Sequence, residues 1–416
     1  MSKPILILAF LFSGLYGNAQ SMSLDSIFKI IKANNPGLKM YDADIRSMDE
    51  AAKGARSWMP PEAGAGFYMT PYNTKMWGSD GVSQPGMGQF MISAQQMFPN
   101  QSRLDAESKY MNAMSSVEKE RKNNNINELY AEAKKDYYDW MMDKRKLIIL
   151  EQDEKLLTFM MQSAELRYQN GMEKISAYYK VKAAFGNIEN MRIMLDGEIK
   201  QRRISLNALM YRNKQQPLEI DTGYVIKDYA TLLLDSTIFI KSRSDIKAIE
   251  NDIQVANLQA NLEKTKLNPE FGIRYDNMIA FGSLPLQFSL MGMVKIPLAP
   301  WSSKMYTANI ESIKWKAESL NQQRLMMINE AQGMTSSMFA DIEAKKKQVN
   351  LYERSIIPAL KRNYQTMQLG YEQNTEELFM LFDAWESLNM MQIEYIDQLH
   401  QLLVMQTEVE KLLEIK

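Results

Sequence analysis

Thirty-three methionines, one histidine and no cysteine are the soft-ligand inventory of this 416-residue chain. A thioether is a neutral, polarisable donor that suits monovalent copper and silver, and it ligates without losing a proton. Met91, Met291 and Met293 fall on or near stretches that alternate like strands, the last two on the polar side of theirs. The pairs Met141-Met142, Met160-Met161, Met326-Met327 and Met390-Met391 lie in helical sequence and fit the other use of methionine, as adaptable core filler. The lack of cysteine removes disulfides, thiolate metal sites and an N-terminal lipid-modified Cys. His400 stands beside the apolar seam of the last helix and reads as a packed or solvated helix residue. There is no Gly-rich phosphate loop and no nucleophile with a base at hand, so the chain reads as a non-enzyme without a cofactor. A net charge of -1 offers no basic face to nucleic acid.

The elements that must position the methionines come in two kinds. Residues 62–70 and 88–98 read as strands, the second alternating Phe90, Ile92 and Ala94 with Gln89, Ser93 and Gln95. A later pair is clearer. Phe271, Ile273 and Tyr275 alternate with Gly272, Arg274 and Asp276; Leu286, Phe288, Leu290, Val294 and Ile296 alternate with Gln287, Ser289, Met291, Met293 and Lys295. An apolar row against a charged row places lipid on one side and water, with Arg274, Asp276 and Lys295, on the other; a sheet packed on a soluble core is the alternative. Four strands are too few to close a membrane barrel, and an open edge in lipid is forbidden. A barrel therefore needs several chains.

The remaining sequence is helical. A short helix runs from Ser23 through Ile31 and is ended by Asn34 to Gly37; a second spans residues 39–57 up to Pro60 and Pro61. Between Gln101 and Gln216 there is no proline, and the turn at Gln169 to Gly171 divides that stretch into arms of roughly 70 and 40 residues, ~100 Å and ~60 Å long. The helix at 39–57 makes up the difference if stacked on the end of the shorter arm. After an irregular joint, with a helix expected over 229–236, the pattern restarts: a helix over 245–266, the clearer strand pair, and helices to Lys416. In the last of them a seam runs Leu378, Leu381, Trp385, Leu388, Gln392, Tyr395, Leu399, Leu402, Gln406, Val409, Leu413 in steps of three and four, which is coiled-coil packing. Pro358 should bend the helix before it.

The two reversals match. Leu166, Tyr168 and Glu173 align without gaps on Leu369, Tyr371 and Glu376, so the chain is a duplicated helical hairpin. The tips are Asn170, Gly171 and Met172 in the first copy and Gln373, Asn374 and Thr375 in the second; Thr375 is placed to cap the helix that follows. Lys3, the apolar run to Phe12 and Gly17 to Ala19 form a secretory signal peptide, too short for a membrane span. The expected organisation is 1–19 signal peptide, 20–216 first repeat, 217–244 joint and 245–416 second repeat.

Signal peptide, duplicated order of helix, strand pair and long hairpin, and the tips together resemble the TolC-like outer-membrane efflux protein family. The most specific stretch is Ile356 to Ala359 followed by Leu369 to Tyr371 and Leu381 to Ala384. The resemblance implies an α+β, mainly α chain with long coiled-coil hairpins, in which each chain of a homotrimer gives four strands to one twelve-stranded barrel in the outer membrane of a Gram-negative bacterium. It also implies a periplasmic tunnel that meets an adaptor and an inner-membrane pump, its tips being the docking surface. Some relatives in this family serve copper and silver pumps, so soft-metal export is the preferred cargo, with Met91, Met291 and Met293 making transient contacts. Channels for drugs or secreted protein are the alternatives. A periplasmic adaptor would show one hairpin inserted in β-domains, and a structural coiled coil would need no alternating strands.

Overall fold

A computed structural model describes residues 21–78, 86–229, 236–282, 285–297 and 299–415. The expected signal peptide lies outside the described residues, as does most of the helix expected over 229–236. Among the described residues no helix is long and apolar enough to cross a membrane.

The chain runs α1 (Leu24–Asn34), α2 (Pro36–Lys53), β1 (Glu62–Tyr68), β2 (Gln89–Phe98), α3 (Gln101–Gln169), α4 (Ile175–Leu209), α5 (Ser236–Ser242) and α6 (Ser244–Thr265). It continues with β3 (Glu270–Ala280), β4 (Gln287–Lys295), α7 (Pro300–Leu351), a π-helical turn (Tyr352–Ile356), α8 (Ile357–Glu372) and α9 (Leu378–Leu413). Pro36 does not stop α1; it opens α2, where its missing N–H is no loss and its φ is already helical. Asn35 makes the break, its Oδ1 accepting from the Gly37 N–H at 2.9 Å while its amide donates to Leu209 O at 3.2 Å. The start of α2 therefore meets the end of α4, as the mismatch of the two arms requires. The helix within the joint is α5, immediately ahead of α6; its apolar Ile238-Phe239 pair belongs to the stretch that reads as irregular.

The chain forms two compact units, each drawn from both halves of the sequence. One comprises residues 1–38, 126–234 and 333–416. Its core is a helical seam. Leu150, Leu157 and Ala164 on α3 and Val181, Ile188 and Leu195 on α4 recur every seven residues and pack with Leu378, Leu381, Phe382 and Trp385 of α9. Burying each leucine contributes roughly 1.5–3 kcal/mol. The polar interruption Gln406 is also buried, and its amide donates to Lys227 O at 3.0 Å. Gln392 instead lines a cavity of about 450 Å³ beside Tyr395, Ile148 and Lys144. Ahead of Pro358 the helix is interrupted by the wide turn Tyr352–Ile356, closed by Ile357 N–H to Tyr352 O, which absorbs the hydrogen bond that the proline cannot make.

The other unit comprises residues 39–125 and 235–332. Its helices are bound by polar cross-ties: Lys122 to Asp42 at 2.5 Å, Arg121 to Asp252 at 3.3 Å, Arg324 to Glu250 at 3.1 Å and the Asn251 amide to Ser116 O at 3.1 Å. Its strands form one antiparallel sheet in the order β1-β2-β3-β4, so the two strand pairs are joined through β2 and β3 and, among the described residues, both outer edges are open.

Candidate functional site

The sheet register puts side chains into two rows. Glu270 pairs with Lys295, Arg274 with Gln95 and Met291, and Asp276 with Ser93 and Ser289. All of these share one face, because directly opposed residues point the same way. The other face carries Phe98 opposite Phe271, Phe90 opposite Ile279, and Tyr275 between Ala94 and Leu290. Exposure runs against the habit of a soluble protein. Asp276 is 2 % exposed and held by Arg274 Nε at 3.0 Å, whereas Phe288 is 71 % and Phe271 60 % exposed. An outward apolar row is what a hydrocarbon surround selects.

The polar face gathers the methionines. Met91, Met291 and Met293 lie on it with Arg274, Asp276 and Lys295, and two more join them: Met278, directly opposite Met91, and Met97, opposite Gly272. Both were open to sequence reasoning, since each continues the alternation of its own strand by one or two steps. Lys295 reaches Glu270 at 3.6 Å, and Arg103 at the start of α3 reaches the same carboxylate at 2.5 Å. Among the described residues no three His, Cys, Asp or Glu side chains come together to hold a metal.

At the far ends of the hairpins the two tips are built alike. Gly171 has φ 71° and Asn374 φ 57°. The Gly171 N–H donates to Tyr168 O and Met172 N–H to Arg167 O; the aligned Asn374 N–H donates to Tyr371 O and Thr375 N–H to Gly370 O. Asparagine thus takes the left-handed position that glycine takes in the first copy. Thr375 does not cap α9. Its hydroxyl donates back to Gly370 O at 3.0 Å, closing α8, and α9 starts only after Glu377, whose extended backbone makes the cap without a side-chain bond. Carbonyls left over at the end of α8 outcompete the next helix for the hydroxyl. Asn170, Gly171, Met172, Gln373, Asn374 and Thr375 are all exposed.

Within the helical unit lies a buried acidic column on α3. Asp136 accepts from Ser205 Oγ at 2.5 Å and Arg202 at 3.3 Å, and Asp139 meets Arg202 at 3.1 Å and His400 Nε2 at 2.5 Å. The last contact gives His400 a partner that sequence reading did not foresee, because Asp139 is 261 residues away. Burial, reinforced by Glu198, pushes the Asp143 carboxyl up to about 6, against the pull of Lys146. Burial also raises Asp153, which binds Trp385 Nε1 at 2.7 Å and the Asn389 amide. Glu410 goes the other way: burial pushes it up, but bonds from Lys134 and Lys227 outweigh that and hold it below its ordinary value. These carboxylates clamp helices together.

Residues 28–210, which contain the first strand pair and hairpin, match the family model for the outer membrane efflux protein. The match covers somewhat under half of the chain. Solved structures agree on the fold of the whole chain. It is similar to CusC, described for its folding and transmembrane channel formation, at TM-score 0.75 and 15 % identity over 96 % of this chain and 95 % of that one. It is similar to the outer membrane protein VceC from Vibrio cholerae at TM-score 0.74 and 14 % identity over 94 % and 95 %. The outer-membrane channel OprN gives TM-score 0.75 and 14 % identity over 94 % and 89 %. No curated protein matches the chain.

Proposed function

We propose that this chain is one protomer of a homotrimeric channel, a passive conduit from periplasm to exterior for copper or silver, engaged at its hairpin tips by a periplasmic adaptor protein and an inner-membrane pump. The observation that supports the conduit is the sheet: four strands with an exposed apolar face and, among the described residues, both edges open. Edges in lipid must be paired, and copies of the same chain are the simplest source of partners. Large exposed apolar side chains on α7, Trp315 at 72 % and Met305 at 61 %, also fit helices that finish packing against a second copy. In that assembly the apolar row meets outer-membrane lipid, and Arg274, Asp276 and Lys295 line the water-filled lumen.

The cargo reading rests on the five thioethers of the polar face. Weak neutral ligands give contacts that a moving ion can leave, as conduction demands. The test is silver and copper tolerance of a deletion strain complemented with wild type or with Met91, Met291 and Met293 changed to Leu, which conserves volume. Tolerance restored by wild type and lost with the triple variant is the expected outcome. Equal restoration removes the methionines from the path, and a deletion that alters drug tolerance alone replaces the cargo. Docking is tested at Gly171 and Asn374, where bulky charged residues should abolish export without lowering the amount of trimer; full export by such variants contradicts it.

A further inference from the structure

The polar row narrows to one unusual rung. Gly272 on β3 is flanked by Met97 on β2 and Met293 on β4, one on each side of a residue that has no side chain. A Cβ added at Gly272 would collide with Met97 Sδ and come within 3.2 Å of Met293 Cε, so the ends of both thioethers already lie over the glycine. Gly272 is not needed for its backbone, since it sits in an extended strand and its φ is not among the positive values. It is the gap that lets the two methionines meet. Met97 also forms part of the wall of a cavity of about 150 Å³, shared with Met59, Arg103, Glu107 and Glu270. That is room for an ion with several waters.

We propose that Met97 and Met293 form a two-thioether site for a monovalent soft cation, Cu(I) or Ag(I), which reaches them through this cavity. Two thioether side chains that end over the same glycine suit a soft ion of low coordination number, while hard divalent ions require several free oxygens. The Glu270 carboxylate is taken by Arg103 and Lys295, and Glu107 on the same wall offsets the second of these positive charges, so that an arriving cation is not repelled. Neutral sulfurs keep their donor pairs at mildly acidic pH, so the site does not fade where an imidazole would. The purpose of the site rests on the cargo reading above, but its chemistry does not.

The experiment uses the full-length protein in detergent, labelled with 13C at the methionine methyl groups and titrated with silver nitrate in chloride-free buffer. The methyl signals of Met97 and Met293 should shift first and together. Changing both to Leu should abolish the tightest silver equivalent per chain, with the heat-stable oligomer retained. Gly272→Ala keeps both methionines in the chain but pushes the Met97 sulfur out of the gap, and should weaken silver binding by about tenfold. Unchanged affinity in Gly272→Ala together with the Leu double variant would overturn the site, as would silver shifts spread evenly over all methionine methyls. Metal tolerance in cells is scored separately, so a site that binds silver in a strain with normal tolerance refutes the cargo and leaves the site standing.

Discussion

The guanidinium of Arg167 lies 4.0 Å from the ring centroid of Tyr371, and its Nη2 donates to the Tyr371 carbonyl at 2.9 Å, so the tip of the first hairpin is fastened to the tip of the second. Tyr371 is itself buried, 2 % exposed, in the seam with Leu378 and Val181. One stack and one charge-assisted bond are together worth about 1–3 kcal/mol. Arg167→Ala should therefore raise amide hydrogen exchange in residues 168–174 and 370–377 by about tenfold or more, with the oligomer intact. Exchange confined to its wild-type rate at both tips would show the pair to be incidental.

The two turns should respond to substitution in opposite ways. At Gly171 a Cβ would meet nothing within 4 Å, so only the left-handed backbone opposes it, and Gly171→Ala should cost about 1 kcal/mol. Asn374→Gly at φ 57° should cost nothing or gain a few tenths. Local exchange or limited proteolysis at each tip reads both, and an equal loss from the two would contradict the assignment.

Asp143 makes stability depend on pH. Its carboxyl is pushed up to about 6 in the fold and returns to the ordinary carboxylate range on unfolding. The native state therefore binds the extra proton between about pH 4 and 6, and stability from this group falls as pH rises through that window, with the full cost present above it. Asp143→Asn should raise stability by up to about 2 kcal/mol at pH 8 and change little near pH 4. Thermal unfolding of the detergent-solubilised protein at the two values checks this. A variant less stable than wild type at pH 8 would mean that Lys146 and Arg202 hold the charge firmly after all.

Much of this was legible in the sequence, and the reasons differ by element. The strand rows and the α9 seam could be read because period two and steps of three and four are set by local geometry, whatever the chain packs against. The tips could be read because the duplication supplies two examples of one turn. Thr375 was misjudged because its two possible acceptors, the carbonyl behind and the amide ahead, are equally local, and only the length of the turn decides between them. Pro36 shows the same ambiguity, being able to end one helix or begin the next. His400 with Asp139, and Met97 with Met293 over Gly272, depend on register between distant segments, which no local pattern encodes.

The central claim is that one sheet face meets lipid and the other water, and a chain without native cysteine allows it to be tested on a clean background. Single cysteines at Met291 and Lys295 on the polar face, and at Ile273 and Phe288 on the apolar face, are exposed in outer membranes to a water-soluble maleimide. Labelling at the first two, with protection of the second two until detergent or denaturant is added, is the predicted result. Equal labelling of both rows in intact membranes would contradict it and return the sheet to a soluble core.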